Sequence, residues 1–121
     1  MSKMIESESD LDKMLSECSH IFVLFYASWC PYSRRFLPIF ENYVLGKDQQ
    51  FCRVMTDQMS RCEDTYDIEV VPTVIFFENG RPAKRLDGIP GSGLTKSQLD
   101  SFIYSCDLTG GDDGKPGRIK S

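Results

Sequence analysis

A cysteine thiolate is the strongest nucleophile an unmodified side chain offers near neutral pH, and Cys30 has neighbours that would activate one. Before it, Ile21-Phe22-Val23-Leu24-Phe25-Tyr26-Ala27 is a continuous apolar run, the pattern of a strand buried on both faces. After it comes Pro31, which suits the first position of a helix because its missing N–H is not needed there. Cys30 thus falls where a buried strand hands over to a helix N-terminus, and unpaired N–H groups and the helix dipole there favour the thiolate. Arg34 and Arg35 add positive charge on the next turn, unless they are simply a solvated helix face. The turn predicts a partly exposed sulfur and makes Cys30 the candidate nucleophile.

The totals exclude several alternatives. A chain of 121 residues suits one domain. A net charge of −4 gives no basic footprint for nucleic acid, and no apolar run reaches a membrane span. Met1-Ser2-Lys3-Met4-Ile5-Glu6 lacks the apolar centre of a signal peptide, so a cytoplasmic location is expected. A monomer is expected as well. The five cysteines (Cys18, Cys30, Cys52, Cys62 and Cys106) have no regular spacing and read as free thiols. No His/Cys cluster has metal-ligand spacing, and no metal is expected.

The positioning elements follow from periodicity. Lys3 to Glu6 predicts a short strand, then Ser7 or Ser9 caps a helix over residues 8–18 carrying Leu11, Met14 and Leu15. Cys18 reads as a small apolar residue near that helix end, and His20 marks the strand entrance. Residues 31–46 read as a helix through Phe36, Leu37, Phe40, Tyr43 and Val44, interrupted by Pro38 and stopped by Gly46. Phe51 to Thr56 is the next strand, and Ser60 to Tyr66 a short helix. Val70 to Phe77 is strongly apolar with Pro72 ahead of its strand, Asn79-Gly80 is a hairpin turn, and Arg81 to Leu86 returns as an edge strand containing Pro82. Thr95 or Ser97 caps a last helix through Leu99, Phe102, Ile103 and Cys106. Residues 107–121 read as a flexible Gly/Asp-rich tail.

Ala27-Ser28-Trp29-Cys30-Pro31-Tyr32-Ser33 resembles the active-site turn of the thioredoxin family, normally Trp-Cys-x-x-Cys. Val71-Pro72-Thr73 resembles the family's second signature, and Gly80 and Gly88 match its hairpin and groove glycines. The resemblance covers about residues 3–106 in the order β-α-β-α-β-α-β-β-α, and residues 1–106 are taken as one thioredoxin-like domain. It implies an α/β thioredoxin fold: a central mixed sheet of four to five strands flanked by helices on both faces. It also implies a cis Val71–Pro72 bond facing Cys30 across a groove. Trp29, Pro31, Tyr32, Val71, Pro72, Thr73 and Gly88 are then the substrate-binding residues, with Cys30 and Ser33 catalytic. The loop Ile89-Pro90-Gly91-Ser92-Gly93-Leu94 is longer than usual and should rim that groove. Cys-Pro-Tyr also begins the dithiol motif of glutaredoxins, but no lysine shortly precedes Cys30 to hold a glutathione carboxylate.

One difference changes the mechanism. The family's second cysteine is Ser33, which cannot resolve a mixed disulfide and can only donate a hydrogen bond, with the Cys30 thiolate as one acceptor. Leu24 stands where thioredoxins usually bury an aspartate, in keeping with a site that has no second thiol to deprotonate. Cys62 is the one other cysteine worth testing as a resolver. The reading is monothiol exchange at Cys30 with protein disulfides or glutathione, with no resident cofactor, glutathione as a thiol co-substrate and a thioredoxin-reductase-like donor. Two others stay open: a redox-inactive module that binds a peptide or partner, and a dithiol reductase whose resolving cysteine was replaced by Ser33.

Overall fold

The computed structural model describes residues 2–45, 50–59 and 61–106. The expected helix stop at Gly46, the start of the short helix at Ser60 and the tail over residues 107–121 lie outside them. The elements are β1 (Lys3–Ile5), α1 (Glu8–Glu17), β2 (His20–Tyr26), α2 (Pro31–Leu45), β3 (Gln50–Met55), α3 (Arg61–Thr65), β4 (Thr73–Glu78), β5 (Arg81–Leu86) and α4 (Lys96–Cys106). The five strands form one mixed sheet in the order β1-β3-β2-β4-β5. β1 and β2 run parallel to β3, while β4 runs antiparallel to both β2 and β5.

β2 is central in that order, and its composition explains why. Side chains alternate across a strand, so Ile21, Val23 and Phe25 enter one core with Leu11 and Leu15 of α1 and Cys62 of α3. Phe22, Leu24 and Tyr26 enter a second core with Phe36 and Phe40 of α2 and Leu99 and Phe102 of α4. Every β2 residue after His20 is buried, as a strand covered on both faces requires. Pairs of helices therefore cover each face of the sheet. Among the described residues no helix is long and apolar enough to cross a membrane.

Local chemistry sets the ends of the elements. Ser7 caps α1, its Oγ accepting from the Asp10 N–H at 3.1 Å. Thr95 caps α4 through a reciprocal pair: the Gln98 N–H donates to Thr95 Oγ1 at 3.2 Å, and the Thr95 N–H donates to Gln98 Oε1 at 2.8 Å. Asn79 and Gly80 have φ of 54° and 81°, the pair of positive values that a tight two-residue hairpin turn needs. Pro38 lies inside α2, where it leaves the Arg34 carbonyl without its usual helical donor. Pro82 sits on the edge strand, where a missing donor is tolerated.

The second core is largely aromatic. Phe22 lies 5.1 Å from Phe51, 4.8 Å from Phe76 and 6.0 Å from Phe102, ring centre to ring centre. Phe22→Ala is expected to lower unfolding free energy by about 3–5 kcal/mol in a denaturant titration, through lost burial and the cavity left behind. Tyr104→Ala, at a position 84% exposed, should change it by less than about 0.5 kcal/mol. Similar losses for the two variants would contradict the assignment of Phe22 to the core.

Candidate functional site

The buried strand ends at Tyr26, and the next residues turn the chain into α2. Asp57 pins the start of the turn: its carboxylate accepts from the Ser28 N–H at 3.2 Å and from Ser28 Oγ at 2.7 Å. The Ser28 hydroxyl bond is the main reason the Asp57 carboxyl is held below its ordinary range. The Cys30 N–H donates to Ala27 O at 3.3 Å, and Cys30 O accepts from the Arg34 N–H at 3.0 Å. Cys30 is therefore the residue that caps α2, with Pro31 in the first helical position.

The Val71–Pro72 bond is cis, and the Cys30 thiol points at the Val71 carbonyl, with Sγ 3.8 Å from its oxygen. That contact brings together residues far apart in sequence. It also corrects the expected exposure: Cys30 is only 5% exposed, because its sulfur lies against the Val71 segment rather than standing clear of the turn.

Ser33 differs from expectation as well. It is fully buried, and its Oγ accepts from the Ala27 N–H at 3.2 Å. Among the described residues no hydrogen bond joins Ser33 to Cys30. The serine hydroxyl instead satisfies a buried backbone donor at the end of β2, a donor that would be costly to leave unpaired.

The other predicted site residues divide into a surface and its support. Trp29, Cys30, Tyr32 and Val71 line a groove of about 330 Å³ together with Glu63, Ile68, Glu69, Val70, Ile89, Pro90 and Gly91. Trp29 is 69% exposed and Ile89 46%, so each presents apolar surface on the groove. Pro72 and Thr73 are buried, and Pro31 is exposed at the helix start. Thr73 Oγ1 donates to Val70 O at 2.6 Å and accepts from the Gly88 N–H at 3.4 Å. A Cβ at Gly88 would lie 2.5 Å from the Pro72 carbonyl oxygen, so only glycine fits there.

The loop after Gly88 does rim the groove, and its anchoring is specific. Ile89 and Gly93 exchange backbone hydrogen bonds of 3.0 and 2.8 Å, closing a small hairpin. Tyr32 OH donates to Gly91 O at 3.1 Å, and Arg35 Nη2 donates to Ser92 O at 2.6 Å. Arg35 also lies over the Tyr32 ring at 5.4 Å. Gly93 packs so closely that a Cβ would come within 2.8 Å of Tyr32 Cβ. Arg35 therefore holds the rim, and the charge expected beside Cys30 is directed at a carbonyl of the loop. Arg34 is exposed, as a solvated helix face would be.

Sequence reasoning did not find Asp57, Glu63, Ile68, Glu69 or Val70 as parts of this site. Their approach depends on how α3 and the chain before Pro72 pass over the end of the sheet, and no local periodicity reports that. All five cysteines are free. Cys62 belongs to the core between α1, α3 and the sheet and is absent from the groove lining. Burial pushes its thiol up to about 11, and pushes those of Cys52 and Cys106 up to about 12.

A family model described as Thioredoxin matches residues 2–105. The chain is 39% identical over 94 residues to a thioredoxin of Mycoplasmoides gallisepticum, covering 76% of this chain and 94% of that one. It is 29% identical over 85 residues to a thioredoxin-like protein of Synechocystis, covering 69% and 81% of the two chains. A solved thioredoxin structure from Plasmodium falciparum superposes with a TM-score of 0.77 at 25% identity, over 85% of this chain and 97% of that one. The chain belongs to the thioredoxin family of thiol–disulfide oxidoreductases, and its five-stranded mixed sheet with four helices is the thioredoxin fold.

The raised thiols have a consequence for pH. Folding holds the Cys52 proton more tightly than the unfolded chain, whose thiol titrates near its ordinary 9.0. The stability this contributes is complete below pH 9 and is lost as pH climbs toward 12. Thermal unfolding between those limits should show a falling midpoint, with a shallower fall in Cys52→Ala. An equal slope in the two proteins would contradict a buried, protonated Cys52.

Proposed function

We propose that this protein catalyses thiol–disulfide exchange with Cys30 as its single active-site thiolate, and that Ser33 leaves release of the product to an external thiol. The observation that carries this reading is the Cys30 sulfur against Val71 O in an open groove, with a fully buried serine where the family's second cysteine stands. Cys30 caps a helix of 15 residues, so its sulfur lies at the positive end of the dipole.

The thiol first gives its proton to solvent. The Cys30 thiolate then attacks one sulfur of a substrate disulfide, forming a Cys30–substrate mixed disulfide and releasing the other substrate sulfur as a thiolate. A second thiol, with glutathione as the general co-substrate, attacks the substrate sulfur of that mixed disulfide as its thiolate, forming a glutathione–substrate disulfide and releasing Cys30 as the leaving thiolate. Protein disulfides are the proposed substrates, and a thioredoxin-reductase-like donor would act only through an intermediate thiol. Five free cysteines fit a reducing cytoplasmic setting.

Two variants test this. Cys30→Ala should abolish mixed-disulfide formation with a peptide disulfide, read by peptide mapping. Ser33→Cys should gain insulin-disulfide reduction at least about tenfold over the parent, because a neighbouring thiol converts a bimolecular release into an intramolecular one. Exchange that persists in Cys30→Ala would remove the assignment. No gain in Ser33→Cys would mean that Leu24 or the anchored loop limits the reaction beyond the missing resolver. A groove that binds peptides equally well with Cys30 absent, and never forms the adduct, would instead favour the redox-inactive binding module.

A further inference from the structure

The charge lining the groove is one-sided. Of its lining residues only Glu63 and Glu69 carry charge, and both are exposed. Among the described residues neither carboxylate takes part in an ion pair. Arg35 is committed to Ser92 O, Arg61 to Glu8 at 3.5 Å, and Arg85 to Asp87, Tyr66 O and Asp67 O, while Arg34 is exposed and does not line the groove. The rest of the lining is apolar, aromatic or glycine, with Trp29 and Ile89 exposed on it.

We propose that the Cys30 groove selects extended disulfide segments that carry positive charge, and that Glu63 and Glu69 are its specificity-determining residues. The inference rests on Cys30 being the exchanging thiol. A lysine or arginine near the substrate cysteine would meet an unpaired carboxylate, while its aliphatic stem or an apolar neighbour packs on Trp29 and Ile89. Glutathione disulfide is a net anion, and the same carboxylates slow its approach. Glutathione then acts as a slow releasing thiol rather than a preferred oxidant.

Three small disulfides separate charge from reactivity: cystamine (a dication), bis(2-hydroxyethyl) disulfide (neutral) and glutathione disulfide. Rates of adduct formation on Cys30 are measured by mass spectrometry in the parent and in the double variant E63Q/E69Q, and each is normalised to the neutral compound. At low salt the cystamine-to-glutathione-disulfide ratio should fall about fivefold in the variant, since reversing the sign of substrate charge near two surface carboxylates is worth about two- to threefold for each. In the parent the ratio should shrink toward the variant's value at about 0.5 M salt. A ratio unchanged by E63Q/E69Q, with normal reaction of the neutral disulfide, would overturn the charge selection and leave the thiol's role intact. Failure of the neutral disulfide to react in either protein would overturn the role of Cys30 itself.

Discussion

β2 has neighbouring strands on both edges and helices on both faces, so its six residues after His20 have one register in which all are buried. A slip of one position would move Phe22 and Leu24 from the core under α2 and α4 into the one under α1 and α3. That constraint fixes where the strand ends, and therefore where Cys30 lands. The antiparallel pairing with β4 sets Phe25 opposite Thr73, which brings the Val71–Pro72 segment to the same end of the sheet. The contact between the Cys30 sulfur and the Val71 carbonyl follows from two ladders that meet on one strand.

Around that contact the chain supplies supports that do no chemistry themselves. Asp57 holds the turn through Ser28, Thr73 ties Val70 to Gly88, and Gly88 yields space to the Pro72 carbonyl. Arg35 and Tyr32 fasten the loop that carries Ile89 and Pro90. Ser33 belongs with these supports in the geometry observed, since its hydroxyl serves the Ala27 N–H. A hydroxyl at that point keeps the backbone donor at the end of β2 satisfied, and it offers no second thiol beside Cys30.

Much of this was legible in the chain, because the decisive signals were local. An apolar run, a cysteine before a proline, Asn-Gly between two strands, and Thr95 or Ser97 ahead of the last helix each carry their own geometry. Family resemblance supplied the relation of Cys30 to Pro72, which no periodicity could. The errors lay where distant segments meet. The exposure of Cys30 depends on how closely residue 71 approaches it, 41 positions away in sequence. Arg35 looked like a source of charge for the thiol until its partner 57 positions away was in place. Glu63 and Glu69 carry no local signal of a site, and the fold brings them to the groove lining.

Disulfide exchange at Cys30 without an intramolecular resolver leaves its own signature in mass. Intact-mass measurement of the native chain after one exposure to a neutral disulfide, followed over time with no added thiol, addresses it most directly. The expected result is a single adduct, mapped to Cys30, that persists until a thiol is supplied. Loss of the adduct with formation of an internal disulfide, to Cys62 or any other cysteine, would contradict it.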